Sequence, residues 1–339
     1  MRRMLIALMC AMLACSTALA DKTIRLTFTG DVTLGSEELK RKQPTSFDNV
    51  AAEKGYDYFF ANFRDMFAAD DLTVVNLEGT LTDSSAQENK DKTYRFRGPT
   101  DFVNILTVSG IDAVNLSNNH TMDFGKQGYS STKETLDTAK VGYFGGQSVY
   151  FFEKDGVKLA FFGLNSTKVN GNKKWFQEEI PRLKAEEGVD AVVFVFHAGQ
   201  EYGKHRTEAQ ETYAHLAIDA GADLVIMHHP HVVQGMEIYK NRTICYSLGN
   251  FCFAGNSKPD DMSTFVFQIK LRVKDGVCTN DAFRIIPARI SSNGKYNDFI
   301  PTPYDKQENI DAVLSTLKKN GKQLSSPVSD YPLEWPDEE

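Results

Sequence analysis

Side chains that can bind metal ions follow five strand-like segments of this sequence. The set combines two carboxylates, one amide and four imidazoles: Asp31, Glu78, Asn119, His120, His197, His229 and His231. Side chains at the carboxyl ends of strands in an alternating fold converge on one rim, where ligands usually bind. Mixed nitrogen and oxygen ligands suit Mn, Zn or Fe better than Ca or Mg. The sequence therefore predicts a rim site for one or two divalent metal ions.

The sequence HHPH, at residues 228–231, is the most specific of these elements. Side chains two positions apart in an extended chain point the same way, so we expect His229 and His231 to face one site. His228 would then face away, as a structural residue or a support for a ligand. For His205 and His215 we expect no role in the chemistry.

His120 is the candidate general acid. Two neighbouring cations would polarise a phosphoryl or carbonyl oxygen and activate a water near neutral pH. His120 would then protonate or steady the leaving oxygen, and Asp123 would orient its ring. A simple turn-forming role for Asp123 is an equal alternative.

Four further residues could contact a substrate. Arg95 and Arg97 alternate with aromatic residues, so both guanidinium groups could point to one face and bind a carboxylate or phosphate. Exposed strand positions without function are the alternative for both. Glu201 and Tyr202 follow His197 closely, and Glu201 is a candidate acid, base or substrate contact unless the turn is purely structural.

Buried strands and amphipathic helices alternate along the first two thirds of the chain and predict an α/β fold. The strands are Ile24 to Thr29, Leu72 to Leu77, Ala113 to Leu116, Lys158 to Leu164, Ala191 to Phe196 and Leu224 to Met227. Helical spacing of apolar residues predicts helices over Tyr58 to Ala69 and Thr207 to Ala220. From Gln234 onward the pattern becomes β-rich, with a hairpin joining Thr264 to Val273 and Cys278 to Pro287.

The first twenty residues predict a secretory signal peptide. Arg2 and Arg3 precede an apolar run that ends at a small-residue cleavage site, Ala18-Leu19-Ala20. We therefore expect export to the periplasm or cell surface. An uncleaved membrane anchor and lipidation at Cys15 are the alternatives.

We expect residues 21–299 to form one domain and residues 300–339 a C-terminal surface extension. Cys245, Cys252 and Cys278 remain after export and are expected to be core residues or to form one incidental disulfide. The 339-residue chain carries a net charge of -7, and removal of Arg2 and Arg3 leaves 36 basic against 45 acidic residues, a charge of -9. This acidity excludes a basic nucleic-acid footprint.

Seven motifs in one order, over about Ile24 to Phe253, resemble the CapA (PgsA) family of capsule synthesis proteins, which is associated with poly-γ-glutamate. The motifs are TGDVTLG, NLEGTLTD, YRFRGP, SNNHTMDFG, FHAGQEY, HPHVVQ and YSLGNFCF. That family resembles the calcineurin-like metallophosphoesterases, so the resemblance implies a four-layer α/β/β/α sandwich.

The resemblance also implies roles for individual residues. Asp31 matches the metal-binding aspartate of the first strand, and Glu78 stands where phosphoesterases place a bridging aspartate. Asn119 with His120 matches an asparagine-histidine pair that joins a metal ligand to a transition-state contact. The remaining ligands are the lone histidine His197 and the closing pair His229 and His231. One departure is that Thr33 stands where phosphoesterases have a ligand histidine.

These observations predict an exported protein that acts in synthesis, transfer or processing of an anionic polymer such as poly-γ-glutamate. A metal-dependent phosphoesterase, or a hydrolase of γ-glutamyl or other amide bonds, is the first alternative. A non-catalytic polymer-binding or scaffold component is the second. The sequence has no cradle for a nucleoside triphosphate. Partner proteins of a membrane-bound polymer synthesis complex would therefore supply the energy for polymerisation.

Overall fold

The structure, a computed structural model, describes residues 21–146 and 148–336 of the chain. Within these residues, the first of two large sheets has seven strands. Their order across the sheet is β15 (Thr302–Pro303), β14 (Val277–Arg289), β13 (Ser263–Lys274), β1 (Lys22–Val32), β2 (Leu72–Leu77), β5 (Ala113–Asn115) and β6 (Gly142–Phe144). Strands β1, β2, β5 and β6 are parallel, and β13 to β15 extend the sheet in antiparallel fashion. The predicted signal peptide and Cys15 lie outside the described residues.

The second sheet has six strands in the described part of the chain. Their order is β11 (Met236–Tyr239), β12 (Arg242–Cys245), β10 (Leu224–His228), β9 (Ala191–His197), β8 (Val157–Asn165) and β7 (Val149–Lys154). The four central strands are parallel. Two short strands, β3 (Thr80–Leu81) and β4 (Arg97–Gly98), form a separate two-stranded sheet. Both fall between β2 and β5 in the sequence.

Both sheets contribute to a shared inner core. Val193 and Val195 of β9 belong to this core together with Leu26 of β1 and Ile226 of β10. The intervening Phe194 points to the opposite side of the sheet and packs with the helices. Because both faces of β9 are covered, its sequence AVVFVFH is apolar almost throughout rather than alternating.

Helices cover the outer face of each sheet. The first sheet carries α1 (Phe47–Lys54), α2 (Arg64–Ala68), α3 (Val103–Thr107) and α4 (Gly125–Ala139), and the second carries α5 (Ser166–Glu186) and α6 (Glu208–Asp219). Aromatic residues fix the first layer, where the rings of Phe47 and Phe59 stack with centroids 4.2 Å apart. Each buried ring contributes about 1.5–3 kcal/mol. The layers run α/β/β/α, which confirms the four-layer sandwich.

The predicted strands are confirmed as parts of β1, β2, β5, β8, β9 and β10, and the predicted hairpin as β13 and β14. Thr207 caps α6 through a capping box with Gln210, as a helix beginning at that point requires. The helix predicted over residues 58–69 is shorter. Only Arg64–Ala68 is α-helical, and a 3-10 turn covers Tyr56–Tyr58. The spacing of the aromatic residues in this segment reflects their burial against the sheet and does not indicate one continuous helix.

The segment after residue 300 packs against the domain instead of extending from its surface. Strand β15 pairs with β14, and α7 (Gln307–Gly321) buries Val313 and Leu317 in the inner core. Tyr331 is buried there as well. The expected boundary at residue 300 therefore does not coincide with a break in packing, because the apolar stripe of α7 and the residues after it complete the core.

Cys245, Cys252 and Cys278 are buried and unpaired, so they are core residues and form no disulfide with one another. Burial raises the pKa of all three thiols. No helix in the part of the chain that the structure describes has the length and apolar content needed to span a membrane.

Candidate metal centre

The candidate ligands meet where the two sheets present the carboxyl ends of their parallel strands. Asp31 lies at the end of β1, and Glu78 directly follows β2. His197 is the last residue of β9, and it pairs in register with His228, the last residue of β10. The fold thus brings together residues that are up to 200 positions apart in the chain.

The carboxylate of Glu78 lies at the centre of this group. It is fully buried, and among the described residues neither of its oxygens has a hydrogen-bond partner. Its Oε1 atom lies 3.5 Å from Nε2 of His197 and 3.9 Å from Nε2 of both His120 and His231. Burial of a carboxylate without hydrogen bonds is costly unless positive charge compensates it. The residues therefore fit a bound cation.

Two donor sets share Glu78. One combines it with Asp31 and His231, and the other with His197 and His229, with the donor atoms of each set within 4.8 Å of one another. A third set of the same size joins Glu201 to His229 and His231. Oxygen and imidazole donors together suit Mn, Zn or Fe. Glu78 could thus serve two ions, the bridging position that the family resemblance implied.

Charges in the centre shift the pKa values of its residues. Burial would raise the pKa of Asp31, but the nearby imidazoles of His228 and His231 hold it well below its usual value. At His231, burial alone would lower the pKa of the imidazole. The nearby carboxylates of Glu78 and Asp31 outweigh burial and raise that pKa to about 9. At His229, burial and the neighbouring His197 lower the pKa to about 4. The centre therefore holds anionic carboxylates and at least one neutral imidazole near neutral pH.

His229 and His231 do not lie in an extended segment. Their φ angles are 102° and 59°, a left-handed conformation that non-glycine residues seldom adopt. Both imidazoles nevertheless reach the centre, with ring centroids 5.9 Å apart. His228 does not face away, because its Nδ1 atom lies 3.3 Å from Oδ1 of Asp31. His228 therefore lies against the candidate ligand Asp31. This position corresponds to the second role expected for it, the support of a ligand.

Buried asparagine amides orient the candidate ligands. Asn76 donates to Oδ1 of Asp31 at 2.8 Å and lies 3.3 Å from Nδ1 of His197. Asn250 contacts Nδ1 of His231 through Oδ1 at 2.9 Å. Asn119 lies at the rim with Oδ1 2.7 Å from Nε2 of His197. Sequence reasoning identified Asn119 but missed Asn76, although an asparagine inside an apolar strand was the available signal.

Thr33 stands where the resemblance to phosphoesterases implies a ligand histidine. Its hydroxyl oxygen accepts the backbone N–H of Ala254 at 2.5 Å, and its own N–H binds the carbonyl of Cys252. The side chain is fully buried. Position 33 therefore joins two chain segments and supplies no imidazole to the centre.

His120 and Asp123 lie in direct contact. Nδ1 of His120 lies 2.6 Å from Oδ2 of Asp123, which also accepts the backbone N–H of Phe96 at 2.8 Å. Nζ of Lys92 lies 2.5 Å from the other carboxylate oxygen. Nε2 of His120 is thereby directed toward Glu78. Asp123 thus contacts both the His120 ring and the backbone of Phe96, so the orienting role stays a prediction that these contacts allow.

Arg95 and Arg97 do not reach the centre. Arg95 is buried and binds Glu88 at 2.9 Å, while Arg97 makes two 3.1 Å hydrogen bonds to Glu38. The two guanidinium groups are thus engaged within the protein. The alternation of arginine and aromatic residues in the sequence does not leave these guanidinium groups free for a substrate, because carboxylates from other loops bind both.

Glu201 and Tyr202 border an open cleft above the centre. The cleft has a volume of about 180 Å³, and His120 and His231 form part of its floor. Burial, Glu201 and the nearby Tyr94 raise the pKa of Tyr202. The structure thus places Glu201, Tyr202 and the candidate acid His120 around one space that a substrate could enter.

Comparison with known proteins supports a capsule-related assignment. Residues 25–255 match the family model described as bacterial capsule synthesis protein PGA_cap. The chain is 28% identical over 273 residues to the PGA biosynthesis protein CapA of Bacillus subtilis, covering 74% of this chain and 69% of that protein. It is 27% identical to the capsule biosynthesis protein CapA of Bacillus anthracis, covering 69% of this chain and 60% of the relative. The match therefore leaves about a third or more of each relative uncovered.

Among solved structures, the calcineurin-like phosphoesterase YfkN from Bacillus subtilis aligns with a TM-score of 0.48 at 16% identity. That alignment covers 89% of this chain and 100% of the YfkN chain. The four-layer architecture itself follows from the sheets and cores described above. Since the family model covers more than half of its length, the chain belongs to the bacterial capsule synthesis protein PGA_cap family.

Proposed function

We propose that this protein acts, after export, in the synthesis, transfer or processing of an anionic capsule polymer of the poly-γ-glutamate type, through metal-dependent hydrolysis at the Glu78 centre. The observation that carries the proposal is the buried carboxylate of Glu78, which two sets of candidate ligands share. The names of the two Bacillus relatives, a PGA biosynthesis protein and a capsule biosynthesis protein, support the choice of a capsule polymer.

The chain's own residues have distinct parts in this proposal. Asp31, Glu78, His197, His229 and His231 would hold one or two divalent ions, with Asn119 beside His197. Such ions polarise a phosphoryl or carbonyl oxygen and activate water near neutral pH.

His120 lies at the floor of the cleft with its Nδ1 side fixed by Asp123. Its Nε2 atom is positioned to give a proton to a leaving oxygen or nitrogen. Glu201, which lines the same cleft near His229 and His231, is a second candidate for proton transfer.

Metal content tests the first step. We would measure bound Mn, Zn and Fe by elemental analysis in the chain beginning at Asp21, in Glu78→Gln and in a His229→Ala, His231→Ala double variant. His205→Ala is the matched control, because His205 is exposed and its imidazole contacts the carbonyl of Asn320, away from the centre, while its backbone contact with Gln234 is kept. The proposal expects metal in the wild type and control and its loss in the other two. Absence of metal from the wild-type protein would contradict the hydrolytic mechanism.

The substrate requires a separate measurement. The metal-loaded protein would be assayed against a phosphate monoester, a phosphate diester and a γ-linked glutamate oligomer. Hydrolysis of the oligomer supports polymer processing, and hydrolysis of the phosphoesters alone would replace it with a phosphoesterase function.

A non-catalytic polymer-binding component is the second candidate. It is favoured by Thr33, which occupies the position of a phosphoesterase ligand and is engaged with Ala254. In that case the protein would bind metal and polymer without turnover and would assist a membrane-bound synthesis complex. Polymer binding with no hydrolysis of any of the three substrates would support it.

Export is part of the proposal as well. Cleavage after Ala20 would give a mature chain beginning at Asp21, whereas lipidation would leave Cys15 as the first residue. Intact mass of the protein isolated from its host would distinguish these two forms from the uncleaved chain.

A further inference from the structure

Lys40 carries a positive charge at the open side of the cleft. It ends the 3-10 turn Glu38–Lys40, and its side chain lines the cleft together with Tyr94, Glu201 and Tyr202. His120 and His231, both buried, line the same space. The cleft therefore has a candidate metal centre at its floor and a lysine at its border.

Four other basic side chains of the neighbouring loops are paired with carboxylates. The pairs are Arg41 with Asp48 at 2.5 Å, Lys92 with Asp123 at 2.5 Å, Arg95 with Glu88 at 2.9 Å and Arg97 with Glu38 at 3.1 Å. Glu37, next to this turn, lies 3.9 Å from Arg95. These pairs occupy the carboxylates closest in sequence to Lys40. Within the described residues Lys40 itself has no ion-pair partner at 4 Å or less, so its charge is available to a ligand.

We propose that Lys40 is a specificity-determining residue whose ammonium group receives an anionic group that flanks the reacting bond of the substrate. The inference rests on the proposed function, because it takes the Glu78 centre as the place of reaction. Lys40 thereby takes the anion-binding part that the sequence assigns to Arg95 and Arg97.

The chemistry of the cleft explains why one lysine matters. The chain is acidic overall and Glu201 borders the same cleft, whereas Lys40 is the one lysine or arginine among the described residues that line it. Tyr94 and Tyr202 are 54% and 67% exposed and border the same space. Their rings reduce the water around a bound anion, which strengthens its attraction to the ammonium group.

The inference separates two substrate classes. A polymer with one carboxylate on every unit presents an anion beside each of its linking bonds. A simple phosphate monoester has only the group that reacts. Lys40 should therefore favour the first class and leave the second unaffected.

Binding of short oligomers by Lys40→Gln tests this. The probes are a γ-linked glutamate oligomer and the same oligomer with its side carboxylates converted to carboxamides, measured by calorimetry with metal-loaded and with as-purified protein. We expect Lys40→Gln to weaken binding of the charged oligomer about three- to tenfold, as loss of one partly exposed ion pair predicts. Binding of the neutral oligomer should be unchanged, and added salt should weaken wild-type binding more than that of the variant.

Lys42→Gln is the matched control, since Lys42 is exposed, lies two residues away and does not line the cleft. It removes the same net charge and should bind the charged oligomer like the wild type. Equal weakening by both variants would indicate a general charge effect and overturn the role of Lys40. Unchanged binding in Lys40→Gln would overturn it as well.

A second readout separates this inference from the proposed function. If the metal-loaded protein hydrolyses p-nitrophenyl phosphate, Lys40→Gln should leave its KM unchanged, because that probe has no flanking anion. A raised KM would mean that Lys40 contacts the reacting group and would overturn the inference. If the wild type binds no metal and hydrolyses nothing, the proposed function fails, yet oligomer binding by the as-purified variants still decides the role of Lys40.

Discussion

Nδ1 of His120 and Oδ2 of Asp123 lie 2.6 Å apart, beside the buried carboxylate of Glu78. Because a carboxylate accepts hydrogen bonds, this contact places the Nδ1 proton of His120 toward Asp123. Phe96 fixes the same carboxylate oxygen through its backbone N–H. The imidazole is therefore held in one orientation, with Nε2 facing the candidate centre.

Asp123→Asn should lower the turnover of a cleaved substrate without removing metal. The amide keeps the shape of the side chain but can no longer hold the Nδ1 proton in the same way, and loss of such a support typically costs about 10–100-fold. Steady-state kinetics should show the loss in kcat, with KM and metal content close to wild type. Thr121→Val is the control, because it removes hydrogen bonds that hold the same turn, to the carbonyl oxygens of Leu116 and Asn118, and leaves the Asp123–His120 contact in place. An equal loss in both variants would assign the effect to stability of the turn.

Metal should stabilise the folded protein through Glu78. A ligand that binds only the native state at about 100 times its dissociation constant adds about 2.7 kcal/mol. We expect Mn or Zn to raise the thermal midpoint of the wild type and to have no such effect on Glu78→Gln. Glu153→Gln, on the exposed part of β7, should respond like the wild type. A rise of the midpoint in Glu78→Gln would show that the metal binds elsewhere.

Strand-end positions were predictable because they depend on local pattern. Asp31 lies one residue before the end of β1, His197 ends the apolar strand β9, and the parallel arrangement of such strands brings their ends together. The sequence thus predicted most of the candidate ligands. The left-handed backbone of His229 and His231 was not predictable in the same way, since the approach of β10 to Asp31 and Asn250 determines it.

Pairing between distant loops limited the prediction of substrate contacts. Arg97 is 59 residues from its partner Glu38, and nothing in the local sequence around either residue specifies the contact. The same holds for Lys40, whose availability depends on which carboxylates its neighbours occupy. Similarly, the core position of Val313 and Leu317 depends on the uncovered edge of the sandwich, which only the assembled sheets reveal.

Glu38 should make stability depend on pH in the acid range. Burial would raise its pKa, but hydrogen bonds and charge from Arg97, with Arg41, lower it below its usual value near 4.5. A carboxyl group with a lowered folded-state pKa stabilises the protein above the unfolded pKa, and this contribution is lost as the pH falls through the folded value.

Glu38→Gln should therefore lower the free energy of unfolding at pH 7, by about 1 kcal/mol or less for a partly exposed pair. The difference from wild type should shrink as the pH falls below about 4.5. Urea titrations between pH 3 and pH 7 would measure it. Glu53→Gln, which alters an exposed ion pair with Lys54, is the control and should show a smaller difference. A difference that grows toward low pH would contradict a lowered pKa of Glu38 in the folded state.

Gly30→Ala should damage the centre through the backbone. A Cβ atom at this position would overlap the carbonyl oxygen of Gly249 and lie 2.9 Å from the carbonyl carbon of Asn250. Asp31 binds the same segment, donating its N–H to Gly249 at 2.9 Å and accepting from Phe251 at 2.8 Å. Because these groups are backbone atoms between packed strands, they can make room only by moving β1 and the Asn250 turn apart.

Such overpacking costs about 1–3 kcal/mol of stability. The movement would also carry Asn250 away from His231 and Asp31 away from His228, so metal content should fall together with the unfolding midpoint. Gly294→Ala is the matched control, since its nearest neighbour to an added Cβ is the end of the Arg289 side chain at 3.9 Å. If Gly30→Ala kept full metal content while losing stability, then the register of β1 against residues 249–251 would not position the ligands, and the amide network around Asn76 would have to do so alone.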